Sequence, residues 1–172
     1  MLNFETSQWS TAADLPKPLY CCSVAVHGDQ LYMLGGGLVD KSVYTCSVSA
    51  FLQTFTQKSS LEGCTSALSL SNSSSGVWSK LSDLPAEEST CVTFCGQLLA
   101  VGGRDSDDKP TAAVYMYNQS TNSWNVISHM TTARRACFAA VLPNNQLMVV
   151  GGQTKINGRW TYLNSVEFGS LI

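Results

Sequence analysis

The sequence is poor in charged residues and has no long apolar run. These two absences argue against nucleic-acid binding and against association with a membrane. Only 13% of its 172 residues are charged, and the formal charge is -2. Binding to nucleic acid or to an anionic membrane requires clustered cations, so neither partner is expected. No apolar stretch approaches the roughly 20 residues that cross a bilayer, and the first ten residues lack the features of a secretion signal. We therefore expect a cytoplasmic protein.

Signatures of metal binding and of catalysis are also missing from the sequence. Seven cysteines form an odd set without a Cys-x-x-Cys pair. The two histidines, His27 and His129, stand at unrelated positions and have no recognisable nucleophile motif beside them. Zinc sites and disulfide frameworks need clustered or paired ligands. The sequence predicts reduced structural thiols, no metal, no cofactor and no catalytic residue.

What the sequence does contain is a pattern that occurs three times. Gln-Leu, three apolar residues and Gly-Gly recur as QLYMLGG, QLLAVGG and QLMVVGG. A tryptophan precedes the first glycine of each pair by 26, 24 and 27 residues in turn. The sixth residue after each tryptophan is large and apolar, and the thirteenth is cysteine, which we expect to pack between repeats. The repeat markers are Trp9, Gly35, Gly36, Trp78, Gly102, Gly103, Trp124, Gly151 and Gly152.

The spacing of these markers defines repeats of about 46 residues. We assign residues 1–172 to one repeat region with units at about 9–77, 78–123 and 124–172, the first enlarged by a Ser-rich insertion at 50–76. Each unit offers four short strand segments separated by turn signals, without a helical period. Arrays with this period and four antiparallel strands per unit are typical of β-propeller blades. The glycine pair ends an apolar inner strand, where we expect neighbouring backbone to approach closely.

These residues resemble the kelch repeat: Gly-Gly after an apolar strand, a strand of the Val-x-x-Tyr type, then Trp followed by Leu-Pro or Met-Thr. The resemblance covers most of the chain outside the insertion. It implies an all-β fold of kelch-type propeller blades, each a four-stranded antiparallel sheet. Kelch repeats also carry arginine shortly before the innermost strand, which Arg134 and Arg135 match. Leu19 and Tyr20, then Glu88 and Ser89, occupy those places in the other two repeats.

The strand count predicts an incomplete propeller. An outer strand around Trp9, two sets of four strands and a final three make about three blades. Propellers close with roughly four to eight blades. The chain is therefore expected either to be a fragment of a larger propeller or to complete a ring by self-association, for instance as two copies with six blades.

The variable, charged loops after the glycine pairs are the predicted partner-binding sites. Such loops lie on one rim of a propeller, and Arg and Trp are favoured interface anchors. The resemblance implies a non-catalytic scaffold or adaptor that binds a protein partner of unknown identity. The alternative is a fragment of a kelch-type propeller enzyme, either a copper radical oxidase or a sugar mutarotase. The candidate binding residues are Arg104, Asp105, Asp107, Arg134, Arg135, Lys155, Arg159 and Trp160.

Overall fold

The computed structural model describes residues 14–35, 40–49 and 78–170, together with two short strands at Leu2–Asn3 (β1) and Gln8–Trp9 (β2). The Ser-rich insertion at 50–76, the side chain of Trp9, and Gly36 lie outside the described residues. Within the described ranges the chain is all-β, with antiparallel pairing throughout its sheets. The predicted fold class is confirmed.

Sheet one and sheet two each contain four strands joined as a meander. In sheet one the strands are Ser23–His27 (β3), Gln30–Leu34 (β4), Val43–Ser47 (β5) and Ser79–Lys80 (β6). In sheet two they are Thr90–Phe94 (β7), Gln97–Val101 (β8), Ala113–Asn118 (β9) and Ser123–His129 (β10). Each sheet ends on the strand that follows or contains a repeat tryptophan.

Sheet three has three strands: Phe138–Val141 (β11), Leu147–Val150 (β12) and Val166–Gly169 (β15). Between β12 and β15 the chain forms a separate hairpin, Gln153–Ile156 (β13) with Arg159–Tyr162 (β14). A loop is predicted for this segment from the sequence, and that prediction is wrong. Its turn is Asn157-Gly158, both at positive φ, which is the strongest short-range hairpin signal.

The three sheets pack face to face in chain order, with β3, β7 and β11 adjacent. The first interface buries Leu34 and Val43 of sheet one against Leu98 and Ala100 of sheet two. The second buries Leu99 and Val101 of sheet two with Val149 of sheet three. Because Leu98, Leu99, Ala100 and Val101 are all buried, β8 is covered on both faces, as its continuous apolar run predicts.

The glycine pair after β8 lies where other backbone approaches closely. Gly102 has φ +64°, and a Cβ there would collide with the carbonyl oxygen of Arg134. Gly103 has φ +115°, and its Cβ would lie 2.5 Å from Ser89 Oγ and 2.6 Å from Glu87 O. Both positions therefore require glycine for conformation and for space. The expected crowding is confirmed for the pair after β8, whereas a Cβ at Gly151 would make only an ordinary contact of 3.5 Å with Leu163 O.

Two expectations about single residues need correction. The strand at Trp9 was expected as an outer strand, but Gln8–Trp9 pairs with Leu2–Asn3 in a two-stranded sheet of its own. Among the repeat cysteines, Cys91 is buried between sheets and Cys137 packs against the second interface, whereas Cys22 is exposed. Cys22 immediately precedes β3 on the outer side of sheet one, and none of the described sheets packs over that side.

Candidate partner-binding rim

The segments after the glycine pairs of β8 and β12 meet at one edge of sheets two and three. Backbone bridges join Arg104 to Glu87 and to Pro110, and Arg135 to Gln153. Arg135 and Gln153 exchange two hydrogen bonds of 2.9 and 3.0 Å, so the base of the β13–β14 hairpin is fixed to the segment just before β11. We call this edge the rim.

Arg104 is the cation at the centre of the rim. Its guanidinium lies 2.7 Å from Glu87 Oε2, 2.8 Å from Asp108 Oδ1 and 3.8 Å from Glu88 Oε1. The hydrogen bond to Asp108 raises the pKa of Arg104, against the effect of burial. Arg104 is therefore held by three carboxylates from two segments.

Two further cations complete the network across the sheets. Lys155 Nζ binds a carboxylate oxygen and the carbonyl oxygen of Asp108. Arg135 lies 3.0 Å from Glu88 Oε1 and also donates to the Gln153 side chain. Starting at Arg104, the pairs run through Asp108 to Lys155 on one side and through Glu88 to Arg135 on the other. Sheet two and the hairpin of repeat three are thus joined by ion pairs.

The ring of Trp160, on the β13–β14 hairpin, contacts two cations of this network, Arg135 and Lys155. The Arg135 guanidinium carbon lies 3.7 Å from the Trp160 ring centroid, and Lys155 Nζ lies 5.0 Å from it. Both distances are within the range of cation–π attraction. The predicted residues Arg104, Arg135, Lys155 and Trp160 are therefore brought together in one cluster, which we call the Trp160 cluster.

Three carboxylates balance the three cations of the Trp160 cluster: Glu87, Glu88 and Asp108. The hydrogen bond from Lys155, followed by that from Arg104, lowers the pKa of Asp108 to about 2. Partly exposed pairs of this kind contribute only about 0–1 kcal/mol each. Their combined effect is to fix geometry, because each cation already has an anionic partner.

The remaining predicted residues lie elsewhere. Arg134 is fully buried, and its guanidinium bonds Gly151 O, Ser165 and Glu167. It supports sheet three, so in this arrangement it presents no surface to a partner. Its neighbour Arg135, and not Arg134, pairs with Glu88.

Asp105 and Asp107 occupy the tip of the loop after β8. Asp105 Oδ1 accepts hydrogen bonds from the backbone N–H groups of Asp107 and Lys109, at 3.0 and 2.9 Å. The exposed side chain of Asp107 lies 3.6 Å from Lys109 Nζ. Asp105 therefore shapes its own loop, outside the Trp160 cluster.

The hairpin leaves a different set of side chains exposed. Tyr162 is 83% exposed and Ile156 is 53% exposed, and Arg159 opposite Ile156 is also exposed. Of these three, only Arg159 was predicted. The Asn-Gly turn was the available signal for the other two, because it places a rigid hairpin in a segment taken as a loop.

Sequence reasoning also missed the carboxylates of the cluster, Glu87, Glu88 and Asp108. Glu87 and Glu88 lie 17 and 16 residues before Arg104 in sequence, so charge spacing does not reveal their pairing. His27 and His129 line separate clefts. Within the described ranges, no three His, Cys, Asp or Glu side chains lie close enough to hold a metal ion. No helix among the described residues is long and apolar enough to cross a membrane.

Comparison with known proteins agrees with the repeat pattern. Residues 88–131 and 134–167 match the family model of the kelch motif, and these segments contain sheet two and the strands of sheet three. The chain therefore contains two kelch repeats, and its resemblance to the kelch-repeat family is confirmed. Sheets two and three are kelch blades.

Three curated relatives illustrate the similarity. Kelch-like protein 38 of Rattus norvegicus is 25% identical over 90% of this chain and 32% of its own length. Kelch-like protein 35 of Mus musculus is 29% identical over 67% of this chain and 24% of its own length. Kelch repeat protein C2 of Vaccinia virus is 25% identical over 94% of this chain and 27% of its own length. The chain thus spans about a quarter to a third of the length of these relatives.

Proposed function

We propose that this chain is a non-catalytic scaffold or adaptor module that binds a protein partner through its rim, in the cytoplasm. The observation that carries the proposal is the β13–β14 hairpin, held in place by the Trp160 cluster while Tyr162, Ile156 and Arg159 stay exposed. Tyr and Arg are enriched among residues that dominate binding energy.

The predicted residues have two roles: some support the hairpin and others contact the partner. Arg104, Arg135 and Lys155 are already paired, so a partner that engaged their charges would first have to displace an internal carboxylate. Arg159 is exposed on the other face of the hairpin from Trp160, as the register with Ile156 shows. The cluster therefore supports the hairpin, and the exposed side chains contact the partner. Holding the hairpin rigid lowers the entropy lost on binding.

The chemistry of the exposed residues suits an extended segment with both an acidic and an apolar side chain. Arg159 would pair with the carboxylate, and Ile156, which is opposite Arg159 on the same face of the hairpin, would cover the apolar side chain. A displayed peptide library selected on the immobilised chain tests this. We expect enrichment of such segments, and a loss of affinity of about tenfold or more in the Ile156→Ala/Arg159→Ala variant.

A matched control uses exposed residues away from the rim. Lys80 and Val126 lie on the outer strands of sheets one and two, so Lys80→Ala/Val126→Ala removes one cation and one apolar side chain without touching the hairpin. Selected peptides should bind this control as they bind the unchanged chain. Selected peptides whose affinity is the same for both double variants would contradict a rim site.

A further inference from the structure

Each sheet has two faces, which we name by chain order. The leading face points toward the preceding sheet and the trailing face toward the following one. In sheet two the trailing face includes Leu99, Val101 and Val114, which are buried against Leu147 and Val149 on the leading face of sheet three. This interface shows what a trailing face packs against in this protein.

The trailing face of sheet three has the same register but is exposed. Its two rows run across β11, β12 and β15: Phe138, Val150 and Val166, then Ala140, Met148 and Phe168. Phe138 is 63% exposed, Val166 44% and Phe168 59%. The corresponding β8 and β9 residues of sheet two, Leu99 and Val101 with Val114 and Met116, belong to the buried interface. An exposed apolar face of this extent marks an interaction surface.

The leading face of sheet one is its counterpart. Leu31, Met33, Tyr44 and Cys46 line it, and Leu15 packs against it. Leu15 is the sixth residue after its tryptophan, as are Leu84 and Met130, and both of those pack within interfaces between sheets. The inner strand of this face is uncovered, since Val24 is 50% exposed and Val26 54%. Tyr44 and Cys46 are already buried within one copy, so the inner strand β3 is the part of this face that a trailing face can cover.

The number of strands in each sheet supports the same arrangement. Sheets one and two each have a fourth, outer strand, β6 and β10, whereas sheet three has three among the described strands. The strand of the first repeat tryptophan, Gln8–Trp9, does not join sheet one. One end of the described chain therefore carries a trailing face with β15 at its edge, and the other carries a leading face preceded by a tryptophan strand.

We propose that two copies of this chain associate head to tail, the trailing face of sheet three in each copy packing on the leading face of sheet one in the other. The Gln8–Trp9 strand of each copy then lies beside β15 of its partner. Since the two contacts are equivalent, two copies, each with the three blade-like sheets that the structure describes, close a ring of six, within the roughly four to eight blades of propellers. This surface is separate from the hairpin of the proposed partner site.

Light scattering on the purified chain measures the association directly. Twice the chain mass of 18.5 kDa gives about 37 kDa for the expected dimer. In the two interfaces seen within the chain, the inner strands of neighbouring sheets meet each other. The variants Phe138→Lys on β11 and Val24→Glu on β3 therefore each place a charge in both contacts of a symmetric dimer. We expect each to raise the dissociation constant by at least about 30-fold. Both side chains are exposed within one copy, so circular dichroism should show both variants folded.

Mixing the two variants distinguishes a head-to-tail contact from other dimers. In the mixed pair one contact is unchanged and the other brings the introduced lysine and the introduced glutamate together, so the dimer should return. Tyr162→Lys, on the rim hairpin, is the matched control and should remain dimeric. An unchanged chain that stays monomeric at micromolar concentration overturns the proposal. So do larger open assemblies, or variants that do not rescue each other.

Discussion

Arg134 Nη1 donates a hydrogen bond of 2.9 Å to the carbonyl oxygen of Gly151. In sheet two the equivalent carbonyl, that of Gly102, accepts a hydrogen bond of 2.8 Å from Ser89 Oγ. Two different side chains therefore satisfy the same acceptor at the end of a glycine-terminated strand. Arg134 therefore acts as a structural support, although the family resemblance suggested it as a binding residue.

Replacing this arginine should destabilise the fold. Arg134→Met leaves Gly151 O without that donor and Glu167 without its cation, so we expect the free energy of unfolding to fall by about 3 kcal/mol. Urea denaturation measures the loss. Arg159→Met, which removes an exposed arginine, should change stability by less than about 0.5 kcal/mol. Equal effects of the two substitutions would refute the structural role of Arg134.

Gly102 and Gly28 have nearly the same backbone conformation but different surroundings, so comparing them tests the effect of crowding. Gly102 and Gly28 have φ of +64° and +59°, but a Cβ at Gly28 would meet nothing within 4 Å. Alanine at either site carries the conformational cost of positive φ, about 1–2 kcal/mol. Gly102→Ala should cost at least about 1 kcal/mol more than Gly28→Ala, because it also displaces the Arg134 backbone. Matching losses in denaturant unfolding would show that the rim tolerates this side chain.

The Asp108 carboxylate should titrate well below its ordinary range. Its pKa of about 2 lies below the unfolded value, so its ion pairs stabilise the rim above about pH 4 and are lost as the pH falls toward 2. Carboxyl-carbon NMR of Asp108 follows this midpoint. Lys155→Met removes the largest cause, so the midpoint should move up toward 3.8. A midpoint that Lys155→Met leaves unchanged would exclude Lys155 as the cause.

The cysteines should react in two groups. Burial raises the pKa of the Cys91 and Cys137 thiols to about 11, so little thiolate is present near pH 8. Cys21, Cys22 and Cys95 are exposed. Brief labelling with iodoacetamide, read by peptide mass spectrometry, should modify the exposed group first and Cys91 and Cys137 only slowly. Adding denaturant should abolish the difference, and equal rates without denaturant would show that these thiols are not protected.

The repeat, the strand-rich blades and the crowded glycine ends could all be predicted from the sequence alone. These features depend on local chemistry and on periodicity, and both can be recognised without knowing which distant residues are in contact. The Asn157-Gly158 turn was equally local, so the hairpin was predictable in principle. It was missed because Gln153, Thr154, Lys155 and Arg159 make much of the segment polar, as in a loop.

Which rim residues act together depends instead on the packing of the folded chain. Arg134 and Arg135 are adjacent in sequence, yet one is buried under Gly151 and Ser165 while the other stacks on Trp160. Successive side chains of an extended segment point to opposite sides, so neighbours in sequence enter different environments. Apart from Thr132, the hydrogen-bond partners of their side chains lie 17 to 47 residues away along the chain. Pairing over such separations is set by how the sheets pack, which the sequence pattern does not contain.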